Sequence, residues 1–297
     1  MTDIAALRRD YAARMLRIAG VEDAAVARAF AAVPREDFLG AGPWTIFEHS
    51  FGAVEVTGED PSPLYEDVLV ALDRARGLNN GSPSLHALML HHLAVRPGVR
   101  VLHVGAGTGY YTAILAELTG PDGNVVAVEH DARLAGAARA NLRRWPQVGV
   151  LQGDGADWPQ DTVDCIYVNF AVTHPAARWV DNLSLGGRLV FPLGVPIGRF
   201  GEAHRHSNQG AVLLFTRRPA GIAVSHLTPC AFVCAEGRLA DTEASQDALE
   251  RAFLGGGLEF VRSYLRGPPA SREDCWFWSD DWALSYQDVD CPRHASA

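Results

Sequence analysis

The stretch VLHVGAGTGYYTAILAEL, Val101 to Leu118, sets an apolar run against an apolar-periodic segment, with Gly105, Gly107 and Gly109 between them. A dinucleotide fingerprint starting at Gly105 needs glycine at position 110, where Tyr110 stands. A phosphate-binding P-loop needs a lysine after its last glycine, and none follows. What remains is G-x-G-x-G between a strand and a helix, which suits a nucleoside ligand without a pyrophosphate. Glycines there let the backbone turn sharply and pass close to such a ligand.

Downstream the pattern alternates. NVVAVEH reads as a strand and ARLAGAARANLRRW as a helix. VGVLQGD and TVDCIYVNF are strands, PAARWVDNLSL a helix and GGRLVFPLG a strand. Such alternation predicts an α/β fold, a doubly wound, mostly parallel sheet with helices on both faces. GAVLLFTRR and GIAVSHLTPCAFVCA then pair antiparallel at the sheet edge. Upstream, residues 3–32 read as two helices broken near Gly20, with Asp23 as a cap. The Gly- and Pro-rich VPREDFLGAGPW follows, then short extended pieces over 50–80, and a helix from about Ser84 to Ala94 behind Pro83. Past 238 come a helix, SQDALERAF, and two strand-like pieces, LEFVRSYL and CWFWSDDWALSY, the second turning at Ser279-Asp280-Asp281. The organisation expected is an N-terminal helical cap over 1–80, a ligand-binding core over 81–237 and a β-rich extension over 238–297.

Composition narrows the function. The 297 residues are 48% apolar and 21% charged, as in ordinary globular chains. A net charge of −9 argues against a nucleic-acid partner. Five scattered cysteines form no CxxC pair, so neither a disulfide framework nor a metal site is indicated. MTDIAALRRDYAARML has no long apolar core and no run approaches a membrane span, so a cytoplasmic protein without membrane partners is expected. Nothing in the sequence fixes an oligomeric state.

In doubly wound sheets, ligands bind beyond the carboxyl ends of the strands. Three features fall there: the glycine loop, Glu129 at the end of the next strand, and Asp154 in GDGADW at the end of the third. A carboxylate at 129 can accept ribose hydroxyls, and one at 154 an exocyclic adenine amine. Together they describe a site for S-adenosylmethionine. Each also has a local reading: a tight strand–helix turn, a capping acid before ARLAGAARA, and an Asx turn. Their order on successive strands favours the cofactor.

At this point the chain resembles the protein L-isoaspartate O-methyltransferase family of class I S-adenosylmethionine-dependent methyltransferases, from about residue 8 to 236. AFAAVPREDFL resembles its N-terminal signature, YEDVLV its tyrosine–acid segment, and SPSLHALML a serine-containing loop ending in P-H-M-H-A. VLHVGAGTGYYTAILAEL, GDGADWP, DCIYVNFAVTHP and LSLGGRLVFPLG resemble its later motifs in order. The resemblance implies methyl transfer to an aspartyl or isoaspartyl carboxylate of a peptide or protein. Its relatives also include adaptors, so a non-catalytic cofactor-binding adaptor is a second reading and a small-molecule methyltransferase a third. It implies cofactor contacts from His103, Gly105, Ala106, Gly107, Thr108, Gly109, Glu129, His130, Gly153, Asp154, Gly155 and Asn169. Ser82, His86 and Asp67 fall on the substrate side, with His86 a positioning residue rather than a base.

Three departures stand out. His103 takes the place of an acid that helps set the cofactor's amino end in the family. Gly81 aligns with the substrate-contacting serine, so Gly81→Ser is expected to restore activity on generic isoaspartyl peptides. The last sixty residues, 238–297, have no counterpart in the minimal enzyme. In that extension Trp276, Trp278 and Trp282 either cover a sheet edge or form a peptide or partner surface.

Overall fold

Asp3 and Asp23 start the first two helices, each side chain accepting two first-turn amides at 3.0–3.1 Å. They cap α1 (Ile4–Ala19) and α2 (Ala24–Ala32), and Gly20 at φ +69° ends the first, as the sequence predicts. In this computed structural model the residues described are 3–48, 52–57, 60–196, 206–240 and 243–290. They fall into two compact units: Met1–Trp158 with Cys165–Asn169, and Pro159–Asp164 with Phe170–Ala297.

In the first unit, β1 (Trp44–Glu48), β2 (Gly52–Val56), β3 (Leu69–Asp73) and β4 (Leu78–Asn79) form a small antiparallel sheet in the order β2-β1-β3-β4. It has its own apolar core of Trp44, Ile46, Leu64 and Val70. Next come α3 (Pro83–Leu93), β5 (Arg100–Val104), α4 (Tyr110–Thr119), β6 (Asn124–Glu129), α5 (Ala132–Asn141), β7 (Val148–Gln152) and β8 (Val163–Val168). The strands pair in parallel in the order β8-β5-β6-β7. Chain order reverses between β5 and β8, the switch point at which open α/β sheets bind ligands. The N-terminal helices pack on α3 and α4. Tyr11, Phe30, Phe38, Tyr65, Tyr110 and Tyr111 interlock there with ring centroids 5.0–6.5 Å apart. This packing removes the boundary expected at residue 80, and the segment before it holds a sheet as well as helices.

The second unit contains α6 (Ala177–Asp181), β9 (Leu183–Pro196), β10 (Ser207–Arg218), β11 (Gly221–Pro229), α7 (Glu243–Gly255), β12 (Ser263–Arg266), β13 (Cys275–Trp278) and β14 (Trp282–Ser285). Its strands are antiparallel, in the order β9-β10-β11-β12-β14-β13. Two expectations change. Leu183–Leu185, read as the end of a helix, begins β9 instead. And β11 is not an edge, because Ile222 and Ala223 pair with Tyr264 and Ser263 of the extension. The tail therefore continues the sheet, and no unit boundary falls at 237. Trp276, Phe277 and Trp282 are buried. Phe277 lies 4.6 Å from Trp282, centroid to centroid, and the Trp276 indole N–H donates to Gly256 O at 3.0 Å. Trp278 is 39% exposed beneath the Arg272 guanidinium. Ser279 closes the hairpin by accepting the amides of Asp281 and Trp282. Among the described residues no helix is long and apolar enough to cross a membrane.

Candidate functional site

Gly105, Gly107 and Gly109 take φ values of +78°, +56° and +98°, a backbone path that residues with a Cβ avoid. The amides of Gly105 and Ala106 both donate to Val128 O, at 2.9 and 3.2 Å, which ties the loop to β6. The Gly107 amide donates to Glu129 Oε2 at 2.7 Å. A Cβ on Gly109 would stand 2.8 Å from Leu142, so α4 can start here only as glycine. The Thr108 carbonyl is held by Asn141 Nδ2 at 3.0 Å.

Glu129 is 8% exposed. Burial pushes its carboxyl above the ordinary range, opposed by the amides of Asp131, Gly107 and His130. A carboxylate offers about four lone-pair directions, so acceptor capacity remains for a ligand hydroxyl. His130 is exposed and offers its carbonyl to Gln152 Nε2 at 3.4 Å. The Gly153 amide donates to Glu129 O at 3.0 Å and carries the G-D-G turn to the end of β6. Asp154 is half-buried and caps a short 3-10 turn, accepting the Ala156 amide at 2.9 Å, while Gly155 is buried. The Asx-turn geometry is therefore present alongside the proposed adenine contact. Asn169, at the end of β8, donates its amide to Val104 O at 2.9 Å. A positive-φ glycine turn, a buried acceptor at the second strand and an acid at the third together fit S-adenosylmethionine.

His103 does not join them. It is buried in β5, its Nδ1 2.8 Å from Thr112 Oγ1, and its Nε2 has no hydrogen-bond partner. Burial lowers its pKa to about 3, so the ring is neutral at pH 7. Its observed side-chain bond is to α4, through Thr112.

On the substrate side the structure joins Asp67 and Ser82 and adds Ser84. Asp67 Oδ1 accepts the Ser82 hydroxyl at 2.9 Å and the Ser84 amide at 3.0 Å, and Oδ2 accepts the Ser84 hydroxyl at 2.5 Å. Ser82 is also the N-cap of α3, as a serine before Pro83 favours. In the small sheet, β3, which follows Asp67, reaches the glycine loop. Leu72 of β3 lies 3.5 Å from where a Gly107 Cβ would be. Arg76 pairs with Asp131, and Arg133 with Asp73 at 3.0 Å.

His86 is fully buried. It stacks on Tyr111 with centroids 3.7 Å apart, and its Nδ1 bonds the Tyr167 hydroxyl. Burial holds its pKa well below the usual value. A neutral, enclosed ring of that kind suits positioning, not proton transfer. Gly81 explains the arrangement: it has φ +75°, and a Cβ there would come within 2.1 Å of His86 Nε2. The imidazole occupies the room a side chain at 81 would need. The expectation that Gly81→Ser restores activity meets this obstacle.

Sequence reasoning missed the wiring behind Asp67. In the structure Arg35 is fully buried and donates to the carbonyls of Leu64, Glu66 (3.0 Å) and Val68 (2.7 Å). The Tyr65 hydroxyl donates to the Glu36 carboxylate and accepts the Arg35 amide at 3.2 Å. A buried-arginine signal was available in the apolar run around Val33 and Phe38, since arginine is seldom enclosed without partners.

Residues 10–238 match the model of the protein-L-isoaspartate(D-aspartate) O-methyltransferase family. A protein-L-isoaspartate O-methyltransferase of Thermotoga maritima is 29% identical over 259 residues, 84% of this chain and 73% of its own. One from Methylorubrum populi is 37% identical over 202 residues, 67% of this chain and 84% of its own. A solved protein-L-isoaspartate O-methyltransferase aligns with a TM-score of 0.62 at 22% identity, covering 93% of this chain and 87% of that one.

Proposed function

Because the chain belongs to the protein-L-isoaspartate(D-aspartate) O-methyltransferase family, we propose that it methylates a side-chain or isoaspartyl carboxylate of a peptide or protein in the cytoplasm, with S-adenosylmethionine as donor. The observation that carries this reading is Glu129. It is buried at the end of β6 and bonded to the Gly107 amide at 2.7 Å, with acceptor capacity left for a ribose. When bound, S-adenosylmethionine supplies an electrophilic sulfonium methyl. The glycine loop, Glu129, Gly153, Asp154, Gly155 and Asn169 hold it, with Ala106, Thr108 and His130 contributing backbone.

The acceptor needs little activation. A carboxylate with a pKa near 4 is ionised at pH 7, so no general base is required. The chain's task is to strip water from it and align it, and such positioning is worth roughly 7–11 kcal/mol. Asp67 holds Ser82 and Ser84 at the first turn of α3, and His86 on the same helix is fixed by Tyr111 and Tyr167. Labelled S-adenosylmethionine and an isoaspartyl-containing peptide test the reading, base-labile methyl incorporation being expected. Tight cofactor binding without methyl ester on any aspartyl or isoaspartyl peptide or protein would favour the adaptor instead.

A further inference from the structure

We propose that Arg35 is a positioning residue for the acceptor side of the site, acting through Asp67 on the hydroxyls of Ser82 and Ser84. The inference rests on the acceptor-side role given to Asp67 above and deepens it.

Arg35 lies in the short 3-10 turn Arg35–Phe38, remote in sequence from everything it touches. Its guanidinium is fully buried and donates to the carbonyls of Leu64, Glu66 and Val68, which bracket Asp67 on both sides. The same residue's amide is held by the Tyr65 hydroxyl at 3.2 Å, and its guanidinium carbon sits 6.0 Å from the centroid of Tyr11. The Glu36 carboxylate, the nearest acid in sequence, bonds the Tyr65 hydroxyl. Burying a guanidinium against carbonyl dipoles is a costly way to fill space. Its rigid fork, however, fixes three alternate carbonyls at once, which a lysine's single ammonium on a flexible stem cannot do.

The fixed segment delivers one functional group. Asp67 leaves the clamped turn between two of the held carbonyls. Its two oxygens receive the Ser82 hydroxyl at 2.9 Å, the Ser84 amide at 3.0 Å and the Ser84 hydroxyl at 2.5 Å. Loosening 64–68 moves the carboxylate, and with it the orientation of both hydroxyls at the start of α3. Cofactor contacts lie on other elements and should not feel the change.

The test uses the full-length protein with Arg35→Lys, Asp67→Asn and the double variant. Three quantities are read: affinity for S-adenosylhomocysteine by calorimetry, kcat and KM with an isoaspartyl-containing peptide, and hydrogen exchange of the Ser84 amide. Arg35→Lys should bind S-adenosylhomocysteine as the parent does, exchange the Ser84 amide faster and lose about 10- to 100-fold in kcat/KM, the scale of an ångström-level misplacement. In the Asp67→Asn background the same change should add less than about twofold, because its route is already cut. Losses that multiply instead, or a folded Arg35→Lys protein with parental kcat/KM and Ser84 exchange, would overturn the proposal. If Arg35→Lys does not fold, Tyr65→Phe loosens the same clamp more gently. Faster Ser84 exchange with a loss that vanishes in Asp67→Asn supports the proposal, and unchanged Ser84 exchange refutes it. Asp67→Asn with parental kcat/KM removes the acceptor-side reading itself, and this inference with it. An impaired Asp67→Asn whose effect multiplies with that of Arg35→Lys removes the inference alone.

Discussion

Gly81→Ser separates what the sequence suggests from what the structure permits. By resemblance, serine at 81 should help an isoaspartyl acceptor. By geometry it should harm the protein. Gly81 sits at φ +75°, where a Cβ costs roughly 1–2 kcal/mol. That Cβ would also lie 2.1 Å from His86 Nε2, so the ring must leave its stack on Tyr111 and its bond to Tyr167. Breaking a buried hydrogen bond costs roughly 1–3 kcal/mol. Against this, losing a glycine restricts the unfolded chain, a gain of roughly 0.4–1 kcal/mol. The net is a loss of about 1–5 kcal/mol, at roughly 2–4 °C in Tm per kcal/mol for a long chain. Denaturant titration gives the stability change. Calorimetry with S-adenosylhomocysteine shows whether the glycine loop is untouched, as expected from its separate hydrogen bonds. A Gly81→Ser protein of parental stability with higher turnover of isoaspartyl peptides would refute the reasoning, because the imidazole would then not hold its place.

Glu129→Ala should weaken S-adenosylmethionine binding by about 1.5–3 kcal/mol; unchanged affinity by calorimetry in a folded variant removes Glu129 from the site. Burial raises the Glu129 pKa, so its charged form is lost on acidification sooner than that of an ordinary glutamate. Cofactor affinity should therefore fall with decreasing pH from above the usual carboxylate range, and a profile flat down to pH 4 in the folded protein counts against the charged contact. His103 has a folded pKa of about 3 against an unfolded value near 6.5, so the unfolded state binds more protons between them. Its contribution is complete above about pH 6.5 and is lost as pH falls toward 3, by up to about 1.4 kcal/mol per pH unit. His103→Met should flatten that limb of a denaturant-midpoint profile, and coincident slopes would contradict the burial. Truncation after Ala235 strips β12 from β11 and Tyr264 from Phe215, whose centroids are 5.3 Å apart. The expected result is an unstable or aggregating protein, read by thermal denaturation with and without S-adenosylmethionine; a stable truncated form with full methyl transfer speaks against a structural tail.

The parallel core was legible because its signals are local. Strand runs, a glycine turn and an acid at each following strand end follow one another in the chain, and period and spacing suffice to order them. The cap at Asp23 was readable for the same reason, and the one at Asp3 emerged only with the structure. The acceptor side was less so. Asp67 and Ser82 were named, but Ser84 entered only because the first turn of α3 brings both serines to one carboxylate. Arg35 acts on residues about thirty positions away, and no local pattern announces such a clamp. The Thr112 partner of His103 was not legible, because a strand position fixes a residue's neighbours across the sheet but not which of them its side chain meets. Boundaries at 80 and 237 followed composition, whereas the units follow packing and strand pairing.

The docked hairpin has an optical consequence. Three of the chain's seven indoles, Trp276, Trp278 and Trp282, lie within seven consecutive residues. Two of them are enclosed and one is open to water. Intrinsic emission on unfolding is therefore weighted toward the C-terminal hairpin, while far-ultraviolet dichroism is weighted toward the first unit, which holds α1 to α5. Coincident curves by the two probes would show one cooperative transition. An emission change that precedes the dichroism change would show the hairpin letting go first, without a label or a truncation.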